Sequence, residues 1–78
     1  MSDGIRINLI CCTQVIQQDL AHKEITQKHI ATVYAMAIKS ESEGVDKPDW
    51  KVINAAIIAR WGERGLRRIK NAAWRFFA

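Results

Sequence analysis

The chain has 78 residues, 49% of them hydrophobic and 26% charged, with a formal net charge of +4. A sequence of this length reads as one small domain that buries only about 60% of the surface its unfolded chain exposes, and further burial in a homodimer is a natural remedy. The charge is divided unevenly: residues 1–46 hold four basic and six acidic side chains, net −2, whereas residues 47–78 hold eight and two, net +6.

The first apolar run, from Ile7 to Cys12, is too short to span a bilayer and is interrupted by Asn8. With no signal-peptide pattern behind it, the expected location is the cytoplasm, with no membrane partner. Ile5, Leu9, Cys12, Ile16 and Leu20 fall on one helical stripe. The alternation from Ile5 to Leu9 also fits a short strand or an extended arm. Cys11 and Cys12 are neighbours and cannot form an ordinary disulfide, so they are expected as reduced, partly buried small side chains.

A break is expected between His22 and Thr26, with Thr26 as the N-cap of a second helix whose apolar stripe is Ile30, Val33, Tyr34, Ala37 and Ile38. Residues 40–49 read as a linker, since serines, charges, Gly44 and the only proline cluster there. Asp46 or Asp49 can cap the next helix, with Pro48 tolerated at its entrance. Trp50, Ile53, Ile57, Ile58 and Trp61 then share a face with Asn54, which needs a hydrogen-bond partner if buried. The stretch Gly62-Glu63-Arg64-Gly65 reads as a tight turn and not as a phosphate-cradling loop, because no GxGxxG or GxxxxGK[ST] pattern surrounds it.

The terminal stretch GLRRIKNAAWRFFA is amphipathic. Leu66, Ile69, Ala73, Phe76 and Phe77 lie within about 100° of one another on a helical wheel, while Arg67, Arg68, Asn71 and Arg75 gather opposite them. Guanidiniums and an amide on one face suit phosphate oxygens and base edges. Arg64 and Lys51 are expected to add contacts to the nucleic-acid backbone, and the aromatic residues to anchor the helix from beneath. Two helices joined at a glycine-bearing turn, the second basic outward, have the form of a helix-turn-helix unit. Aligning Gly62 with the usual turn glycine puts Arg68 where such a unit has a buried aliphatic residue, so the likeness is to a looser corner.

The block INAAIIARWGERGLRRIKNAAW, Ile53 to Trp74, resembles small uncharacterised proteins encoded by bacteriophages and other mobile elements. The resemblance implies either a compact regulator that binds nucleic acid or a compact inhibitor or adaptor that docks on a host protein. Nothing points to an enzyme or a cofactor. His22 and His29 lie about 10 Å apart along a continuous helix, too far to share a metal directly, and no CxxC or HxxxH spacing concentrates ligands.

The sequence therefore reads as a single all-α domain, residues 1–78, of three or four helices, the last two forming a helix-turn-helix-like corner. The expected binding face is Arg64, Arg67, Arg68, Asn71, Arg75 and Lys51. Its expected partner is nucleic acid, DNA before RNA, or else an acidic protein surface that meets the basic face or the edge of Trp74, Phe76 and Phe77.

Overall fold

A computed structural model describes residues 11–77. The described residues form an all-α bundle with no strand, comprising α1 (Cys12–Leu20), α2 (Gln27–Ser42) and α3 (Trp50–Arg75). The alternatives of helix, strand or arm for residues 5–12 fall outside the described part up to residue 10, while Cys11 is the N-cap and Cys12 the first residue of α1. No helix among the described residues is long and apolar enough to cross a membrane.

Local chemistry sets the helix ends. Thr26 caps α2 by accepting the His29 N–H at 3.1 Å, as expected for a threonine preceding an apolar-periodic run. At the other end Gly44 adopts φ +72°, and the N–H groups of Gly44 and Val45 return to the carbonyls of Glu41 and Ser40. This paired return satisfies two carbonyls that the helix would otherwise leave open. It also places Ser40, Glu41 and Ser42 inside α2, so the connecting segment begins only at Glu43, later than composition suggested.

The two aspartates of that segment serve different helices. Asp49 caps α3, accepting the Val52 N–H at 3.3 Å, while Asp46 reaches back to α1 and accepts the Cys12 N–H at 2.8 Å through Oδ2. Thr13 Oγ1 in turn accepts the Asp49 N–H at 2.8 Å. The loop is thereby stitched to the start of α1 by side chain to backbone bonds. Neither contact is visible in local spacing, because the partners lie 34 and 36 residues apart.

The core is built from Ile16 and Leu20 of α1, Ile30, Val33, Tyr34 and Ala37 of α2, and Ile53, Ile57, Ile69 and Ala73 of α3. Ala31 and Ala35 of α2 join it, widening the buried arc beyond the expected stripe because α2 packs against both other helices. Ile58, expected on the buried face, is instead 38% exposed. Cys11 and Cys12 are free thiols, both half-buried, and burial raises the Cys12 pKa.

Helix α3 is two limbs joined at Gly62, whose φ of 76° and ψ of 179° are non-helical. That combination is reached almost only by glycine, since a Cβ would clash with the flanking peptide oxygens. The corner is made by this one residue and not by a four-residue turn. Gly65 already lies within the second limb, where it is buried and a Cβ would sit 2.3 Å from Trp61 Cβ. One glycine bends the chain and the other lets the bent limb pass the Trp61 side chain. In a straight helix Ile58 and Asn71 would stand about 20 Å apart, yet here they line one groove.

Two outcomes are expected. Gly62→Ala should lower stability by about 1 to 3 kcal/mol in chemical denaturation, because alanine must be forced into a glycine-only conformation although no atom crowds the position. The Asp46 carboxyl is held below its ordinary value, chiefly by the Cys12 N–H that it accepts. Its stabilising contribution is complete above the unfolded carboxylate range and is lost as the pH falls through the lowered folded value. Stability followed by urea titration from neutral to acid pH should therefore show a smaller acid loss in Asp46→Asn than in the parent.

Candidate nucleic-acid interface

The second limb of α3, residues 63–75, carries Arg64, Arg67, Arg68, Lys70 and Arg75 against the single acidic Glu63. Gly65, Ile69 and Ala73 are buried, so this face is clamped onto α2 and the first limb and sets the rotation of the whole limb. At 100° per residue Arg64, Arg67, Arg68, Asn71 and Arg75 then fall within an arc of about 100° on the opposite side. All five are exposed. They make a stripe about 16 Å long, from Arg64 to Arg75, at 1.5 Å per residue.

This stripe is locally costly. Arg64 and Arg68 stand four residues apart, a like-charge spacing that destabilises a helix by about 0.2 to 0.5 kcal/mol. Arg64 also occupies the first turn of the limb, where the helix dipole disfavours cations. Among the described residues none of the four arginines is held in an ion pair; the one such contact, His29 Nε2 to Asp19 Oδ2 at 3.1 Å, joins α1 to α2 elsewhere. A stripe with these costs, whose arginines form no ion pair among the described residues, is suited to an external polyanion.

The structure separates the expected residues into two groups. Arg64, Arg67, Arg68, Asn71 and Arg75 come together on the second limb, whereas Lys51 is exposed near the start of the first limb. Arg68 points outward even though a helix-turn-helix unit would bury an aliphatic residue there. The expectation that the aromatic residues anchor the limb from beneath is not met. The limb ends at Arg75, and Trp74, Phe76 and Phe77 are 55%, 59% and 47% exposed, with Met36 of α2 exposed nearby. Burial of the limb falls to Ile69 and Ala73, which the wheel also placed on that face.

Two lysines extend the basic surface in ways that helical spacing does not reveal. Lys28 of α2 lines a shallow groove with Arg75 and Phe76, lengthening the stripe at its C-terminal end. Lys70 stands between two depressions. One is a groove of about 360 Å³ in the bend of α3, lined by Ile58, Glu63, Leu66, Arg67, Lys70 and Asn71. The other is a cleft of about 270 Å³ bounded by aromatic rings of α2 and α3. Only the tertiary bend brings Ile58 to the arginines, so no sequence signal marks the first.

Arg60, the remaining arginine of α3, is not part of the face. Its Nη1 donates to the Leu20 carbonyl at 2.9 Å and its Nη2 to the Lys23 carbonyl at 2.7 Å, closing the C-terminal end of α1 and the turn after it. A cation placed at a helix C-terminus meets the open carbonyls and the negative end of the dipole together. The guanidinium also lies 5.4 Å from the Trp61 ring centroid. Among the described residues no three of the His, Cys, Asp and Glu side chains gather as a metal site.

Compared with known proteins, the chain matches no family model, no curated protein and no solved structure at a significant level. Function is therefore argued from the site itself.

Arg60 and Arg68 should separate cleanly in experiment. Arg60→Ala is expected to lower the denaturant midpoint, with a loss of about 1 to 3 kcal/mol from two charge-assisted bonds, and to leave the surface stripe intact. Arg68→Ala, which has no partner among the described residues, should leave the midpoint within about 0.5 kcal/mol of the parent.

Proposed function

We propose that the chain is a small nucleic-acid-binding regulatory protein of phage or mobile-element type that holds the polymer along the second limb of α3. The observation that carries the reading is the stripe of Arg64, Arg67, Arg68, Asn71 and Arg75, all exposed on one arc opposite the buried Gly65, Ile69 and Ala73. Arginine forks pair with phosphate oxygens two bonds at a time, and the Asn71 amide both donates and accepts, as reading a base edge requires. Lys28 and Lys70 add charge at the margins. Lys51, exposed on the first limb, adds a contact to the nucleic-acid backbone. DNA is taken before RNA as the polymer, and the cytoplasm is where such a protein meets its ligand. Pairing of two copies would double the phosphate contacts.

A second reading has its own support. The exposed Trp74, Phe76, Phe77 and Met36 form an apolar patch of the kind found at protein interfaces, and tryptophan and arginine are enriched at binding hot spots. On this reading the chain is an inhibitor or adaptor that docks on an acidic host-protein surface.

Titration with labelled oligonucleotides at increasing salt separates the two. Changing Arg67, Arg68 and Arg75 together to glutamate should abolish binding with helicity retained, and each single alanine change should flatten the slope of log affinity against log salt by roughly one unit. Ile69→Asp should damage folding and binding together by placing a charge in the core. If the parent protein shows no salt-sensitive association with DNA or RNA, the nucleic-acid reading fails and the protein-docking reading takes its place.

A further inference from the structure

The cleft on the far side of Lys70 has features that phosphate binding does not use. Trp50 and Trp74 bound it, with Tyr34, Ile38, Asn54 and Lys70 completing its lining. We infer that this cleft receives an unpaired nucleobase, and therefore that the preferred ligand is single-stranded nucleic acid. The inference rests on the nucleic-acid reading above and names the form of the polymer.

The first argument is the state of the two tryptophans. Trp50 is held in place: its Nε1–H is shared by both carboxylate oxygens of Glu41 at 3.1 Å, and the Tyr34 ring packs beside it at 4.9 Å between centroids. Tyr34 is itself held by the bond from its hydroxyl to Asn54 Oδ1 at 2.9 Å. Trp74 is 55% exposed and meets Phe77 at 5.7 Å. A fixed ring and an accessible ring in the lining of one cleft suit a flat, weakly polar ligand that stacks. In a duplex the faces of the bases are already stacked on one another, so such rings gain little from double-stranded DNA. An unpaired base has both faces free.

The second argument is the placement of charge. The Glu41 carboxylate also lines the cleft and offsets the charge of Lys70, so the lining carries no net positive charge to draw a phosphate inside. Lys70 lines both the cleft and the groove that holds Arg67 and Asn71, so the arginines lie alongside the cleft and not in its lining. Trp74 follows Arg67, Lys70 and Asn71 by seven, four and three residues, which puts it at the edge of the basic stripe on the same limb. A strand whose phosphates follow the arginines therefore passes beside the cleft and can turn one base into it. Asn54 uses its carbonyl oxygen to accept the Tyr34 hydroxyl, which leaves its amide nitrogen to donate to a base edge.

The test uses the whole chain with a labelled oligothymidine of about 12 nucleotides and a mixed-sequence duplex of the same length, followed by fluorescence anisotropy across a salt series. The single strand should bind at least about 10-fold more tightly than the duplex and quench tryptophan emission. Trp74→Leu, which keeps an apolar surface but removes the flat ring, should weaken the single-strand complex roughly 5- to 150-fold with the salt slope unchanged. Trp74→Phe should restore most of the loss, which guards against a folding defect at this position. Equal or tighter binding of the duplex, or wild-type affinity in Trp74→Leu, would overturn the inference while leaving salt-dependent nucleic-acid binding in place. A dimer in light scattering that Trp74→Leu converts to monomer would assign the ring to a contact between copies and also overturn it. Failure of both polymers to bind at low salt removes this inference together with the reading beneath it.

Discussion

The conformation of Gly62 is the constraint on which the other features depend. Its φ of 76° and ψ of 179° interrupt a run of residues that are otherwise helical from Trp50 to Arg75. A continuous helix of that length would reach about 39 Å, far beyond what two short neighbours could cover, and would leave one of its apolar stretches in water. Bending at one residue lets Ile53 and Ile57 of the first limb and Ile69 and Ala73 of the second enter the same core. Gly65 completes the arrangement, because its bare Cα fits against the Trp61 side chain where an alanine would collide. Two glycines three residues apart thus act through different physics, one through backbone conformation and one through contact.

Once the bend is made, the arginines of α3 divide by position. Arg60 precedes it and turns inward to close the end of α1, satisfying the Leu20 and Lys23 carbonyls. Arg64, Arg67, Arg68 and Arg75 follow it and face out. The inward arginine belongs to a set of side chain to backbone bonds between distant segments, with Asp46 at the start of α1 and Thr13 at the Asp49 N–H. A domain this small has a limited apolar core. Bonds of this kind hold α1 at both ends to the remainder of the bundle, where its nine residues would not form a stable helix alone.

The surface left over has two chemistries side by side. One is the cationic stripe, maintained against like-charge repulsion and, at Arg64, against the helix dipole. The other is aromatic, comprising the cleft between Trp50 and Trp74 and the exposed rings of Phe76 and Phe77. Lys70 belongs to both. Cations that track a backbone beside rings that stack on bases form the combination used by proteins that hold single strands, and this adjacency links the proposed function to the proposed base-accepting cleft.

Much of this was legible from residue spacing. The all-α class, the Thr26 cap, the stripe Ile30, Val33, Tyr34 and Ala37, the break at Gly62, and the grouping of Arg67, Arg68, Asn71 and Arg75 follow from local rules, because helical period and capping are set by residues within a turn or two of one another. Other features depended on which surfaces meet. Phe76 and Phe77 have the right period for a buried face, yet the helix ends at Arg75 and, among the described residues, no neighbour reaches over them. Ile58 has the period of the core but is turned into the groove of the bend. Arg60 looks like any basic surface residue until α1 ends beneath it, and Lys28 joins the basic stripe only because α2 packs against the second limb. The sequence by itself determined where helices form and which way each one is amphipathic. Only the tertiary structure decided which charges hold the bundle together, which stay exposed, and that Trp50 and Trp74 share one cleft, because contacts between residues more than a few turns apart depend on how the helices pack and not on spacing along the chain.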